Sequence, residues 1–255
     1  MIMDAAHAVS ARLQDSEIMG LGLIFGPPGL GKTSTLEAFA ARSSGAGLRV
    51  VFVRALRIWS ETSMLQDLVT ACGLAPDGYR KDLTFNQLRR TLKNDPAVII
   101  VDEIDAIARK PVQIGILKDL HDLTRSAILM VGEEAVDPIL RRYASFYNRV
   151  NRAALLQVGD HSPDDVALVI AERCDCDVDD DVCDAIHAKT GGKSMRSVID
   201  EIRDMETYAR ANDLNRISMT DYRRIEAERK RGTSALRMAP VAAPILSAGP
   251  EAING

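Results

Sequence analysis

Apolar residues recur along the chain in two rhythms. Five short runs are almost uniformly apolar: Leu21–Phe25, Arg49–Val53, Ala97–Val101, Ala127–Val131 and Ala154–Val158. Runs of this length, rich in Val and Ile and bounded by turn residues, read as buried strands. Between them the spacing is helical, over Thr33–Arg42, 61–72 and 83–94, and residues 1–17 read as a short amphipathic helix. Strands that alternate with helices predict a parallel sheet covered on both faces. At His161-Ser-Pro the rhythm changes, and only helical periodicity follows, over 163–173, 179–190, 194–211 and 219–230. Ser162 before Pro163, with Asp164 and Asp165 in the first turn, is a good helix start. The expected organisation is an α/β domain over 1–160, a small all-helical domain over 161–235, and a Pro/Ala/Gly-rich disordered tail over 236–255.

Composition narrows the class. With 255 residues, 46% hydrophobic and 27% charged, the chain has the make-up of a soluble globular protein. Collagen-like, coiled-coil and wholly disordered classes are excluded. No run approaches the roughly 18–20 apolar residues of a membrane span. The first residues lack a basic region followed by an apolar one, so a cytoplasmic protein is expected. The net charge of −4 excludes a histone-like binder but leaves room for a local basic groove. Cys72, Cys174, Cys176 and Cys183 read as reduced thiols. Cys174-Asp-Cys176 with Cys183 and His187 lacks C-x-x-C spacing, and Asp177, Asp179 and Asp181 lack the Gly and Glu of a calcium loop, so neither group reads as a metal site.

The chemistry concentrates at two places. Gly26-Pro27-Pro28-Gly29-Leu30-Gly31-Lys32-Thr33 satisfies G-x-x-x-x-G-K-[ST], with an apolar strand before it and a helix, opening through Ser34, after it. Glycines let backbone N–H groups wrap around phosphate oxygens at the positive end of the helix. Lys32 can reach the β and γ phosphates, and the Thr33 hydroxyl can ligand Mg²⁺. Asp102-Glu103 follows the run Ala97–Val101. An acid at the end of a buried strand beside such a loop can hold Mg²⁺ through water, and Glu103 can polarise an attacking water. The pair favours hydrolysis over transfer to a small-molecule acceptor, which counts against a metabolic kinase.

Together GPPGLGKT and VIIVDEID resemble the Walker A and Walker B motifs of the AAA+ ATPases, a resemblance covering roughly residues 15–230. It implies an αβα core with a five-stranded parallel sheet, a helical lid, ATP with Mg²⁺ bound between subunits, and ring or helical self-assembly. Gly191-Gly-Lys-Ser-Met-Arg196 resembles the start of the lid's sensor 2 helix, which implies that Arg196 lies near the γ-phosphate. Arg149 stands where the family's arginine finger would lie, acting on a neighbouring subunit's ATP, with Arg141, Arg142 and Arg152 as alternatives. The sensor 1 position departs from the family. Val131-Gly132-Glu133-Glu134 offers glutamate where a neutral polar residue is usual, which puts efficient hydrolysis in doubt.

Smaller cues point to nucleic acid. Val53-Arg54-Ala-Leu-Arg57-Ile-Trp59 is cationic where protein unfoldases carry an aromatic-hydrophobic loop, and Arg109-Lys110 is a second basic pair. Facing one axis, Arg54, Arg57, Arg109 and Lys110 would form a positive stripe suited to a DNA backbone. The cluster Tyr222-Arg223-Arg224 and Arg229-Lys230-Arg231, interleaved with Glu226 and Glu228, reads as a solvated face with i,i+4 pairs. The small size, the early nucleotide core and the GG-x-x-x-R lid resemble the Mu B/TnsC/TniB group of transposition target selectors. With the phosphate loop at residue 26, no helix-turn-helix domain is expected ahead of it. This resemblance implies an ATP-dependent filament or ring on duplex DNA that recruits a transposase or other recombination protein, with no membrane partner. A helicase-loader or initiator-like role, or an ATP-gated scaffold with weak hydrolysis, are the alternatives.

Overall fold

The structure is a computed structural model and describes residues 1–230. The tail expected at 236–255, and Arg231 with it, lie outside the described residues. The chain divides into two compact units, Met1–Ser162 with Thr190–Ser197, and Pro163–Lys189 with the chain from Val198 on.

The first unit opens with α1 (Ile2–Ser10), continued by a 3-10 turn at Ala11–Leu13, and then β1 (Leu21–Phe25). There follow α2 (Lys32–Gly45), β2 (Val50–Arg54), α3 (Glu61–Ala71), α4 (Lys81–Asn94), β3 (Val98–Asp102) and α5 (Pro111–Leu123). The unit closes with β4 (Ala127–Gly132), the short α6 (Val136–Leu140) and α7 (Ala144–Tyr147), and β5 (Val150–Gln157). The five strands form one parallel sheet in the order β2-β3-β4-β1-β5.

Side chains alternate across this sheet, so each face has its own core. Ile24, Ile100, Leu129 and Val131 pack with Ala5, Ala6 and Val9 of α1 and Leu36 and Phe39 of α2. Leu21, Leu23, Ile99 and Met130 face Met64, Leu65 and Leu68 of α3, Leu88 and Leu92 of α4, and Ile114, Leu117 and Leu120 of α5. The central strands are buried along their whole length, which is why they read as continuous apolar runs. Local chemistry sets the helix starts. Ser60 and Ser63 exchange bonds in a capping box at α3, and Pro111 stands at the first turn of α5.

The fifth strand begins four residues earlier than its apolar run indicates. β5 lies at the sheet edge, is half exposed, and shifts register against β1 between Leu21 and Leu23. Asn151 fills the irregularity by donating to the Met19 carbonyl at 2.9 Å and accepting from the Ala153 amide at 2.9 Å.

The second unit holds α8 (Pro163–Arg173), β6 (Asp177–Val178), α9 (Asp180–Thr190), most of α10 (Met195–Ala211), β7 (Arg216–Ile217) and α11 (Met219–Lys230). It is therefore not all-helical. β6 and β7 pair in parallel, each two residues long, too short to show a period-2 pattern in sequence. Its interior carries a charged group, Glu201, which is 4% exposed. Glu201 accepts from Arg229 at 2.7 Å, from Lys189 at 3.0 Å and from the Tyr222 hydroxyl at 3.1 Å. Burial works to raise its pKa, but Arg229 and Lys189 prevail and hold the carboxyl below its usual range. Burial and Glu201 in turn push Tyr222 up to about 12. Arg229 also pairs with Asp204, and Glu226 with Lys189, so these charges bridge helices rather than forming i,i+4 pairs along α11. The solvated-face reading is corrected for them. Among the described residues no helix is long and apolar enough to cross a membrane.

Candidate nucleotide site

The loop Gly26–Gly31 joins β1 to α2 at the carboxyl end of the sheet. Gly31 is the N-cap of α2, in the left-handed region at φ 76° and ψ 13°, with no side-chain cap. The first-turn N–H groups of a helix have no intrahelical acceptors, and the dipole makes this end positive. Apart from its chain neighbours, nothing lies within 4 Å of where a Gly31 side chain would begin. Lys32 is 9% exposed, and its ammonium donates to the carbonyls of Gly26 and Pro27, both at 2.7 Å. Burial pushes its pKa down, opposed by Asp105, Glu133, Asp102 and Glu134. Leu30 is buried and anchors the loop in the core beneath, while Pro28, Thr33 and Ser34 stay exposed.

The acidic side of the site comes from the end of β3. The Thr33 hydroxyl donates to Asp102 at 2.9 Å, and the other Asp102 oxygen accepts the Glu103 amide at 2.9 Å. Asp102 is 5% exposed. Two oxygen donors from adjacent elements thus converge beside Lys32. This hard donor set fits Mg²⁺, which is held by one or two protein oxygens plus phosphate and water.

Glu103 itself is in the left-handed region, at φ 51° and ψ 42°. A non-glycine residue rarely sits there, and such strain clusters at functional sites. Its carboxylate is ion-paired with Arg54 from the end of β2. Asp105 closes the acidic rim by accepting the Glu133 amide at 3.0 Å. A side chain at Gly132 would begin 2.7 Å from Asp105 and Val136 and 2.9 Å from Ile104, which accounts for glycine at the end of β4. Glu133 is exposed there, with no side-chain partner among the described residues.

The structure draws other expected residues to this end. Gly192 accepts from the His161 amide at 2.8 Å, and the Met195 amide donates to Gly29 of the phosphate loop at 2.8 Å. Arg196 is the next residue, exposed and without a partner among the described residues. Arg149 lies at the opposite, amino end of the sheet, where it donates to Asp122 at 2.8 Å and to the Ser145 carbonyl. Of its alternatives, Arg141 is paired with Asp137 at 2.8 Å and stacks on Tyr147, and Arg152 lies inside β5.

The expected basic stripe is brought together only in part. Lys110 donates to the carbonyls of Arg57 and Trp59 at 2.8 and 2.9 Å, which joins the two basic segments. Trp59 is buried and its indole donates to Asp67 at 2.6 Å, so the loop is braced while Leu56, Arg57 and Ile58 face solvent. Arg57 and Arg109 keep exposed guanidinium groups. Arg54 does not join them, because its guanidinium is taken by Glu103, and the Lys110 ammonium is spent on carbonyls. The sequence reading missed the Arg54–Glu103 pair, Asp105 and Asp122. Asp105 carried a signal, three residues beyond Asp102 in the same acidic turn. Asp122 carried none.

Comparison with known proteins bears on the fold. Residues 18–140 match a family model described as an AAA domain. A 26S proteasome regulatory subunit 6B homolog of Dictyostelium discoideum is 35% identical over 88 residues, which cover 34% of this chain and 18% of that protein. The Aeropyrum pernix ORC1 protein, solved in complex with DNA, is 18% identical with a TM-score of 0.61, covering 89% of this chain and 63% of that one. The Aeropyrum pernix ORC2 protein, solved in ADPNP-ADP complexes, is 16% identical with a TM-score of 0.67, covering 88% and 66%. The chain thus spans less than two thirds of the one structure, just under two thirds of the other, and under a fifth of the curated relative. At such identity the structural likeness bears on fold alone, and the fold is the AAA+ α/β core with its five-stranded parallel sheet.

Proposed function

We propose that this AAA+ ATPase binds ATP with Mg²⁺, assembles with copies of itself on duplex DNA, and hydrolyses ATP slowly, at a rate raised by DNA. The observation that carries this reading is the convergence of Thr33 and Asp102 beside Lys32 at a helix N-terminus without a side-chain cap. Lys32 and the amides of the loop bind the phosphates, with Ser34 completing the first turn of α2. Thr33 and Asp102 hold Mg²⁺, which when bound neutralises charge on the phosphates and helps orient them. Glu103 polarises the attacking water. Arg196 reads the γ-phosphate, and Arg149 reaches the nucleotide of a neighbouring copy, where it stabilises charge developing in the transition state.

Slowness and DNA stimulation follow from one contact. Arg54 pairs with one carboxylate oxygen of Glu103 and lowers its basicity toward water, and Arg54 belongs to the same short segment as Arg57. A phosphate backbone at Arg57 and Arg109 would compete with Glu103 for that segment's positive charge and release the glutamate. Glu133 beside the phosphates acts in the same direction as the Arg54 restraint, against fast turnover.

The finer role we infer is target selection in transposition, with a transposase or other recombination protein as client. It is supported by the compact GG-x-x-x-R lid start. An initiator-like or helicase-loading role is the second reading, favoured by the fold shared with an ORC1 protein solved on DNA. Pull-down with a transposase against a replicative helicase separates the two. The reading as a whole is tested by negative-stain microscopy with duplex DNA and a slowly hydrolysed ATP analogue. Filaments or rings that require both components support it. Particles that stay monomeric, or that assemble without regard to DNA, overturn it.

A further inference from the structure

We propose that Asp122 is a positioning residue for Arg149, holding its guanidinium ready for a nucleotide bound by a second copy of this chain. The proposal rests on the reading that Arg149 acts between copies. Distance along the sheet motivates that reading independently. Arg149 immediately precedes β5 at the amino end of the parallel sheet, and the phosphate loop follows β1 at the carboxyl end. Five residues of β1 lie between the two ends, roughly 16 Å at about 3.3 Å per residue. A phosphate held by this chain's own loop is therefore out of reach of Arg149.

Asp122 is itself held before it holds Arg149. One carboxylate oxygen accepts from Lys118 at 2.8 Å. The other lies 3.1 Å from Nδ1 of His121 and accepts from Nε of Arg149 at 2.8 Å. The tautomer of His121 follows from its other side. The Gly20 amide donates to Nε2 at 3.2 Å, so Nε2 is the acceptor, and the ring proton sits on Nδ1 and is donated to Asp122. His121 is only 4% exposed, locked between the start of β1 and the end of α5.

The guanidinium is oriented by this arrangement. Of its five N–H groups, the one on Nε is taken by Asp122 and one on Nη1 by the Ser145 carbonyl. The remaining three have no partner among the described residues, on a side chain that is 39% exposed. An ordinary surface arginine samples many rotamers, and that freedom must be lost when it meets a phosphate. Here the loss has already occurred on folding. Lys118 pairs with Asp119 as well as with Asp122, so the ion-paired cluster with Arg149 is balanced in charge, and attraction for an anion comes from the exposed N–H groups of the guanidinium.

The test uses mixtures of full-length chains turning over ATP on duplex DNA. The acceptor carries Arg149→Ala and keeps its ATP site. The donor carries Lys32→Ala and keeps its finger. Mixing the two should restore turnover by about tenfold or more over either alone, and no recovery would overturn the trans reading itself. Adding Asp122→Asn to the donor should remove that recovery by about tenfold or more, since small misplacement of a reacting group carries penalties of that order. Full recovery with this donor would overturn the positioning role while leaving the trans reading intact. The same Asp122→Asn placed in the acceptor, whose Arg149 is already absent, should give the recovery seen without it. Equal loss from both placements would mark Asp122 as merely structural and overturn the proposal.

Discussion

Glu103 combines a left-handed backbone, an amide bonded to its neighbour Asp102, and a carboxylate paired to Arg54. These contacts hold the glutamate in place with one carboxylate oxygen against a cation while the side chain stays half exposed. Two substitutions separate the roles. Glu103→Gln should leave ATP binding in place and lower phosphate release by about 100-fold or more, the usual scale for loss of a general base. Arg54→Ala should raise turnover without DNA by a few-fold and shrink the stimulation that DNA produces, read as the ratio of steady-state rates. A drop in basal rate would mean that Arg54 supports catalysis instead of restraining it. The difference in how these residues could be read from sequence is physical. Lys32, Thr33, Asp102 and Glu103 stand out in sequence because the motifs proposed to hold phosphate and Mg²⁺ have fixed local spacing. The Arg54–Glu103 contact spans 49 residues and arises only once β2 and β3 lie side by side with Arg54 opposite Asp102.

At the scale of elements, burial decides what could be foreseen. β1, β3 and β4 are fully buried and their apolar runs marked them to within a residue or so. β5 was placed late because an irregular edge strand carries exposed polar residues such as Asn151 and Arg152. The pair β6–β7 escaped notice because two residues show no period. The last turn of α5 was equally silent, since His121 and Asp122 belong to no motif, yet it ties α5 to β1 and to the start of β5. This tie has a pH signature. Burial lowers the pKa of His121 from 6.5, with Arg12 and Arg149 acting in the same direction and Asp122 opposing. Well above pH 6.5 the ring is neutral in both folded and unfolded chains, and its contribution to stability is fully present. As pH falls below this value, the unfolded chain takes up a proton that the fold resists, so stability declines. Protonating Nε2 would also remove the acceptor for the Gly20 amide. Thermal midpoints measured between pH 7.5 and 5.5 should therefore fall for the native chain, and fall less for His121→Gln. Parallel curves would assign the acid sensitivity elsewhere.

For the molecule as a whole the decisive quantity is charge. With a net charge of −4, the chain has no general attraction for a polyanion, so the proposed binding of DNA requires a local patch. The structure narrows that patch, because Arg54 is neutralised by Glu103 and Lys110 bonds to carbonyls, leaving the guanidinium groups of Arg57 and Arg109. Two phosphate contacts per copy correspond to a slope of about −1.8 in log K against log salt, too shallow for tight binding by one copy at physiological ionic strength. Several copies held together by nucleotide would add their contacts without new chemistry, since each later contact becomes intramolecular. ATP would then control DNA affinity through assembly and not through any change in the patch itself. Binding isotherms over a range of salt, with a slowly hydrolysed ATP analogue, test this directly. The slope per assembled copy should be near that value, and Arg57→Ala or Arg109→Ala should each reduce it by about one. Lys110→Ala should weaken binding by loosening the loop while changing the slope little. A loss of slope equal to that of Arg57→Ala would show that the Lys110 ammonium leaves its carbonyl partners to meet phosphate, and that the patch is rebuilt on the DNA.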